Sequence, residues 1–185
     1  MSHVTITCRR FAGMGGWVFG VRLVLLCGKS FSGKSTVARV LAPRLEARIV
    51  SLDEINERRW LWGGDGIPVE EWIRTHELAS DEVLGLLSAG TSVVVDDTSS
   101  PRFLRDGWRS LAAGTGAGFT LLYVDVDDAT VRRRRAGNLV DPRRRDVGVD
   151  VLEEHLAGFE PPEDDEGAVR VKSADDLDQV WRVGR

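Results

Sequence analysis

The sequence predicts an α/β fold in which one parallel five-stranded sheet is covered by helices on both faces. Five short apolar segments are separated by longer segments whose apolar residues recur at helical spacing, and this alternation is typical of parallel sheets. The length of 185 residues suits a single domain with one core. The expected strands are residues 21–27, 49–52, 93–95, 119–126 and 169–171.

The elements follow from local signals along the chain. Residues 21–27 form an apolar run between glycines, as in a strand buried on both faces. Pro68 and Pro101 fit the first turn of a helix, and Asp127 and Ser173 have side chains that cap free N–H groups. Loops are expected at the glycines of residues 62–66 and at the basic residues 138–145. The expected helices span residues 37–45, 54–61, 68–88, 101–114, 127–135, 151–159 and 173–183.

The composition excludes several classes of protein. A hydrophobic share of 42% and a charged share of 29% are those of a soluble globular chain, and a net charge of −4 disfavours a general nucleic-acid binder. Cys8 and Cys27 form neither a metal motif nor a disulfide framework, which fits a reducing cytoplasm. The apolar run near the N-terminus contains Arg22 and is too short to span a membrane. We therefore expect a cytoplasmic protein without membrane contact, with residues 1–18 as a flexible extension of a domain spanning residues 19–185.

The strongest functional signal is the segment 28–35, which fits G-x-x-x-x-G-K-[ST] and lies between an expected strand and an expected helix. Its glycines allow successive N–H groups to point at phosphate oxygens, and the start of the helix adds to this anion site. Lys34 is expected to reach the β- and γ-phosphates, and the Ser35 hydroxyl to bind Mg²⁺. The segment predicts that ATP with Mg²⁺ is bound by Gly28, Ser30, Ser32, Gly33, Lys34, Ser35 and Thr36.

Acidic residues follow two of the expected strands, at the sheet edge where ligands gather in parallel α/β folds. Asp53 is a candidate general base for a hydroxyl acceptor, although it is also suited to cap the next helix. Of the pair Asp96 and Asp97, one carboxylate is expected to hold Mg²⁺ through water and the other to orient the acceptor, with Asp97 favoured. The same pair also suits a turn that leads into a helix.

A cationic stretch follows the fourth expected strand. Arg132 and Arg135 share a helix face, whereas Arg133 and Arg134 point elsewhere, and residues 143–145 are three further arginines. These side chains predict a lid at about residues 132–148 that closes over the triphosphate and neutralises charge. The alternative is a solvated basic helix that contacts the acidic turn at residues 163–166.

Aromatic side chains surround the glycine loop after Asp53. Trp60 and Trp62 are candidates for an aromatic platform that contacts a ring-shaped acceptor, whereas Trp72 fits the core face of its helix. His76 and His155 stand alone on helices and are expected to be structural.

Taken in order, these segments resemble the small P-loop kinases grouped around the polynucleotide 5′-hydroxyl kinase domain. The resemblance rests on residues 28–36, on Asp53, on Val-Val-Val-Asp-Asp-Thr at residues 93–98, and on Tyr-Val-Asp-Val at residues 123–126 before the arginines. It implies a P-loop NTPase three-layer sandwich with strand order 2-3-1-4-5. It further implies that Asp53 is the general base and that Asp97 lies beside the acceptor. Arg134 best matches a lid arginine, and Arg132 is next.

One departure from the family bears on the acceptor. Polynucleotide kinases have an arginine shortly after the catalytic aspartate that holds the acceptor's phosphate, and this chain has Asn56 there. The same group includes chloramphenicol phosphotransferase and zeta-type kinases, which act on small molecules or nucleotide sugars. We therefore expect a kinase for a hydroxyl-bearing small molecule. The alternatives are a 5′-hydroxyl polynucleotide kinase and an ATP-binding switch protein without an acceptor, whereas a GTPase lacks support because there is no Asn-Lys-x-Asp segment.

Overall fold

The computed structural model describes residues 20–62, 66–142 and 144–180, and the expected extension at residues 1–18 lies outside this range. Five parallel strands form one sheet in the order β2-β3-β1-β4-β5, which confirms the predicted fold class and strand order. The strands are β1 (Arg22–Cys27), β2 (Arg48–Ser51), β3 (Val93–Asp96), β4 (Gly118–Val124) and β5 (Val169–Val171).

Seven α-helices lie in the described part of the chain, together with single 3-10 turns at Asp164–Glu166 and Ala174–Asp176. None of these helices is both long and apolar enough to cross a membrane. The helices are α1 (Lys34–Arg44), α2 (Leu52–Arg58), α3 (Val69–Ser88), α4 (Arg102–Thr115), α5 (Asp128–Val140), α6 (Val149–Ala157) and α7 (Leu177–Val180).

Strand β1 is the centre of the core, since it pairs with both β3 and β4. Its side chains alternate between the two faces of the sheet. Leu23 and Leu25 pack into a cluster with α3 and α4, whereas Val24 and Leu26 pack against α1 and α7. The result is a three-layer sandwich in which the carboxyl end of β1 opens into the phosphate loop.

Among the helix boundaries that differ from the expectation, two affect functional residues. Helix α2 begins at Leu52 and is capped by Ser51, whose hydroxyl accepts a hydrogen bond from the Glu54 N–H at 3.3 Å. Asp53 therefore lies inside the first turn and does not cap the helix. Helix α5 continues to Val140 instead of ending at residue 135, which moves the connection to α6 from the expected residues 138–145 to residues 141–148.

The acidic turn at residues 163–166 pairs with α4 and not with the basic helix. Arg105 is fully buried and donates two hydrogen bonds to the Glu166 carboxylate, at 2.6 and 2.7 Å. Arg102 forms ion pairs with Glu163 and Asp165. Arg105 also donates to the Ser99 carbonyl, so the buried pair anchors the loop that follows β3. Because a buried arginine is stable only when it is paired, this interaction fixes the carboxyl edge of the sheet beside the site.

Candidate active site

The phosphate loop joins β1 to α1 and depends on two glycines with positive φ. Gly28 has φ +154° and Gly33 has φ +102°, a conformation that residues with a side chain rarely adopt. A Cβ atom at Gly28 would also lie only 2.9 Å from the Ser32 hydroxyl and from the Val124 carbonyl oxygen. The loop therefore packs tightly against the end of β4.

Lys34, the first residue of α1, folds back over this loop. Its ammonium group donates to the carbonyl oxygens of Gly28 at 2.8 Å and Lys29 at 2.9 Å. Burial lowers the pKa of Lys34, and the carboxylates of Asp96, Asp53 and Asp97 oppose this shift. The Lys34 ammonium group is thus buried on the loop, and these three carboxylates act on its charge.

The carboxylate nearest to Ser35 belongs to Asp96, whereas the sequence favoured Asp97 for the metal. Asp96 ends β3 and shares a side-chain hydrogen bond with Ser35. Burial raises the pKa of Asp96, while Lys34 and the Ser35 hydrogen bond lower it. Asp97 instead accepts hydrogen bonds from the Ser99 N–H at 2.9 Å and the Ser99 hydroxyl at 2.7 Å. Consecutive residues at a strand end point in opposite directions, so Asp96 and not Asp97 bonds to Ser35. Asp97 also lines the cleft, and its charge acts on Lys34.

Ser35 and Asp96 form a donor set that fits Mg²⁺ bound to a nucleotide. The described residues contain no group of three or more His, Cys, Asp or Glu side chains arranged for a metal. Mg²⁺ in phosphate-transfer sites takes only one or two protein oxygens, and the other ligands are phosphate and water. The Ser35 hydroxyl and the Asp96 carboxylate supply these one or two protein oxygens.

Asp53 faces the same cleft from the opposite side. It lies in the first turn of α2, and its side chain is 70% exposed. The cleft has a volume of about 1860 Å³, and its lining includes Asp53, Lys34, Ser35 and Asp96. The Arg144 guanidinium lies 3.4 Å from the Asp53 carboxylate and 4.6 Å from the centre of the Phe31 ring. The expected general base, Asp53, and the phosphate loop therefore line the same cleft.

The two predicted catalytic arginines of α5, Arg134 and Arg132, lie in different surroundings. Arg134 donates to the carbonyl oxygen of Phe31 at 3.2 Å and also to that of Ser32, so it lies against the phosphate loop. Arg132, the second predicted catalytic arginine, forms a two-bond ion pair with Glu153 of α6 on the outer surface. The buried contact of Val131 with the Phe31 cluster sets this rotation of the helix.

This division predicts different effects for two matched substitutions. Arg134→Gln should lower kcat about 100-fold, because a cation beside the phosphate loop stabilises charge in the transition state. Arg132→Gln should change kcat about two-fold at most, since exposed ion pairs contribute little. Steady-state ATP turnover in both variants measures the difference. Equal losses in the two variants would contradict this assignment.

His155 of α6 contacts the phosphate loop, and sequence reasoning missed it. Its Nε2 atom lies 3.3 Å from the Ser30 N–H and accepts a hydrogen bond from it. Burial, with a smaller contribution from Lys34, lowers the pKa of His155 to about 4. The histidine is therefore neutral and holds the loop backbone. Its separation of 125 residues from Ser30 leaves no local signal in the sequence.

The lowered pKa of His155 predicts a loss of stability in acid. Below pH 6.5 the unfolded chain binds a proton at this histidine, whereas the folded chain does so only near pH 4. The free energy of unfolding should therefore fall by about 2 kcal/mol from this group between pH 7 and pH 5. Urea denaturation at both values measures the fall. The His155→Gln variant serves as the control, and a variant with the wild-type pH dependence would refute the prediction.

The two candidate tryptophans lie in different places. Trp62 lines the cleft, and the Arg145 guanidinium stacks on its ring at 4.1 Å. Trp60 is 94% exposed and follows α2 with a positive φ, so its side chain points to solvent and does not line the cleft. Of the two, only Trp62 is placed to contact an acceptor. Trp72 packs against the core as expected and also reaches the cleft wall.

Comparisons with known proteins identify the family and the fold of this chain. The family model for an AAA domain matches residues 23–162, which include the phosphate loop, Asp53 and the arginines of α5. The chain belongs to this family. A search of curated proteins finds no significant match. The AAA domain match covers all the elements from the phosphate loop to α6.

Solved structures with the same fold as this AAA domain include three kinases. APS kinase CysC from Mycobacterium tuberculosis, in complex with AMPPNP and APS, is 18% identical with a TM-score of 0.63, over 87% of this chain and 97% of that chain. A sugar kinase from Janibacter sp. HTCC2649 is 19% identical with a TM-score of 0.61, over 84% and 86%. A gluconokinase from Sinorhizobium meliloti 1021 is 16% identical with a TM-score of 0.62, over 86% of each chain.

These likenesses establish the P-loop kinase fold. The narrower resemblance to polynucleotide kinase, chloramphenicol phosphotransferase and zeta-type kinases remains a prediction.

Proposed function

We propose that this protein is an ATP-dependent kinase that transfers the γ-phosphate to a hydroxyl group of a small molecule. The observation that carries the proposal is the position of Asp53. Its exposed carboxylate faces the cleft that also contains Lys34 and the Ser35–Asp96 pair. A base opposite a phosphate loop is what phosphate transfer to a hydroxyl requires.

Each group has a defined role in this reaction. The loop N–H groups and Lys34 bind the phosphates of ATP, and Ser35 and Asp96 would hold Mg²⁺, which would neutralise phosphate charge. Asp53 accepts the proton of the acceptor hydroxyl as the new O–P bond forms and ADP leaves. Arg134, beside the loop, stabilises the charge on the transferred group.

Arg144 is also placed for a role in this reaction. It lies between Phe31 and Asp53, and it would exchange the carboxylate for phosphate oxygens when ATP enters. Because Arg134 and Arg144 both lie within residues 132–148, that segment would act as the lid.

Two features support a small-molecule acceptor over an oligonucleotide. The wall of the cleft on the α2 and α3 side includes the carboxylates of Glu57, Glu77 and Asp81. Glu57 pairs with Arg145 and Glu77 with Arg74, so these groups together give no excess of positive charge to hold a phosphate backbone. The APS kinase, sugar kinase and gluconokinase that share the fold are also named for small-molecule acceptors. These features favour a metabolite, nucleoside or antibiotic over an oligonucleotide.

Acceptor-stimulated ATP turnover tests the proposal. The chain with Mg²⁺ and ATP is given sugars, sugar acids, nucleosides, hydroxylated antibiotics, or a 5′-hydroxyl oligonucleotide. We expect one small-molecule class to raise ADP formation well above the rate in water. Stimulation by the oligonucleotide alone would instead establish a polynucleotide kinase, and no stimulation by any compound would favour a switch protein.

A further inference from the structure

The wall of the cleft beside Asp53 contains a buried amide without a hydrogen-bond partner for its nitrogen. Asn56 is 4% exposed and lines the cleft. Its Nδ2 atom has no partner among the residues that the structure describes. Buried amide donors in folded proteins are nearly always satisfied, so an unpaired one in a cleft wall points to a ligand.

The orientation of this amide is fixed by its neighbours. The Thr75 hydroxyl lies 2.5 Å from Asn56 Oδ1, a separation that suits an O–H···O bond and is too short for N–H···O. Arg59 donates to the same Thr75 oxygen at 2.7 Å. Because a guanidinium group only donates, Thr75 accepts from Arg59 and can give its single hydrogen either to the Asn56 oxygen or to the Glu71 carbonyl oxygen, which lies 3.0 Å away. The 2.5 Å contact with Asn56 is the shorter of the two and assigns the hydrogen to Asn56 Oδ1, so the amide nitrogen is turned away from Thr75.

Arg59 is itself held in place, so the arrangement is rigid. It donates to the Glu71 carbonyl oxygen at 2.8 Å and pairs with the Glu71 carboxylate. Thr75 is fully buried. The chain of hydrogen bonds from Arg59 through Thr75 to Asn56 thus links the end of α2 to α3.

Asn56 and Asp53 are three residues apart on α2, and residues at this spacing lie on one face of a helix. A group bound to the Asn56 amide would therefore lie close to the hydroxyl that loses its proton to Asp53. A neutral amide N–H suits a hydroxyl, carbonyl or ether oxygen and does not neutralise an anionic group.

We propose that Asn56 donates a hydrogen bond to a second, uncharged oxygen next to the reacting hydroxyl, and that Thr75 and Arg59 position it. This inference rests on the proposed kinase function and narrows the acceptor to polyols and sugars, whose hydroxyl groups are adjacent. Asn56 is a specificity residue in this account, and Thr75 is a positioning residue.

The test uses pairs of acceptors that differ in one oxygen. The probes are D-ribose with 2-deoxy-D-ribose, D-gluconate with 2-deoxy-D-gluconate, and glycerol with 1,3-propanediol. They are tested on the wild-type protein and on the variants Asn56→Leu, Thr75→Val and Thr75→Ser. Thermal unfolding confirms that each variant is folded before the KM values for acceptor and for ATP are measured.

We expect the wild type to prefer the oxygen-rich member of at least one pair by about ten-fold in kcat/KM. Asn56→Leu and Thr75→Val should remove this preference and raise the KM for the acceptor by a similar factor, with the KM for ATP unchanged. Thr75→Ser keeps the hydroxyl and should restore the preference. A role in folding alone would lower the unfolding temperature without changing the ratio between the paired acceptors.

The outcomes separate this inference from the proposed function. An acceptor that is phosphorylated with the same KM and the same preference by Asn56→Leu would overturn the inference and leave the kinase function intact. Phosphorylation of other hydroxyl compounds, but not of D-ribose, D-gluconate or glycerol, would also overturn the inference and leave the kinase function intact. No phosphorylated product from any acceptor class would overturn both.

Discussion

Replacement of Asp53 by asparagine is expected to lower kcat for phosphate transfer by about a thousand-fold, the size of effect that a general base contributes. The amide has nearly the same shape but cannot accept the proton of the acceptor hydroxyl. Because Asp53 lies across the cleft from the phosphate loop, the Kd for ATP should stay close to its wild-type value. Pre-steady-state transfer and nucleotide titration measure the two quantities.

Glu54→Gln is the matched control for this substitution, since it removes the same charge from the next residue of the same helix turn. It should keep most of the activity. If Asp53→Asn retained full turnover, or if both variants lost activity equally, Asp53 would not act as the base.

Replacement of Lys34 by alanine should reduce ATP turnover by about a thousand-fold or more, because its ammonium group lies on the phosphate loop and would bind the phosphates there. Unlike Asp53→Asn, it should also weaken ATP binding. Turnover and nucleotide affinity are measured in parallel with Lys29→Ala, which removes a lysine of the same loop that pairs with Asp128. A Lys34→Ala variant with normal turnover would refute the assignment of the phosphate loop.

The features that the sequence predicted well are those encoded locally. The apolar run of β1 and the glycines at positions 28 and 33 specify a buried strand and a loop with positive φ, and both are present. The position of Asp53 at the site was also predictable, since the carboxyl end of every parallel strand lies at one edge of the sheet.

The features that sequence reasoning left open or missed depend on packing between distant elements. The resemblance ranked Arg134 ahead of Arg132, but the spacing of the four arginines does not show which of them lies against the phosphate loop. The packing of α5 through the buried Val131 places Arg134 there. The choice of Asp96 over Asp97 beside Ser35 follows from the register of β3 with its neighbours. The contact of His155 with Ser30 joins residues far apart in the chain.

The residues near the acceptor were harder still to predict from the sequence. The departure at Asn56 from the arginine of polynucleotide kinases was visible in the sequence, but its partners were not. Thr75 reaches Asn56 from α3, and Arg59 at the end of α2 donates to Thr75, so only the packing of α2 against α3 joins the three side chains into one hydrogen-bonded chain.

The proposed kinase moves the γ-phosphate of ATP onto a hydroxyl, and mass spectrometry of the products formed with the most stimulating acceptor tests this transfer. We expect one phosphate ester of the acceptor for each ADP formed, and loss of this product in Asp53→Asn. Formation of ADP with free inorganic phosphate alone, and with the acceptor unchanged, would contradict it.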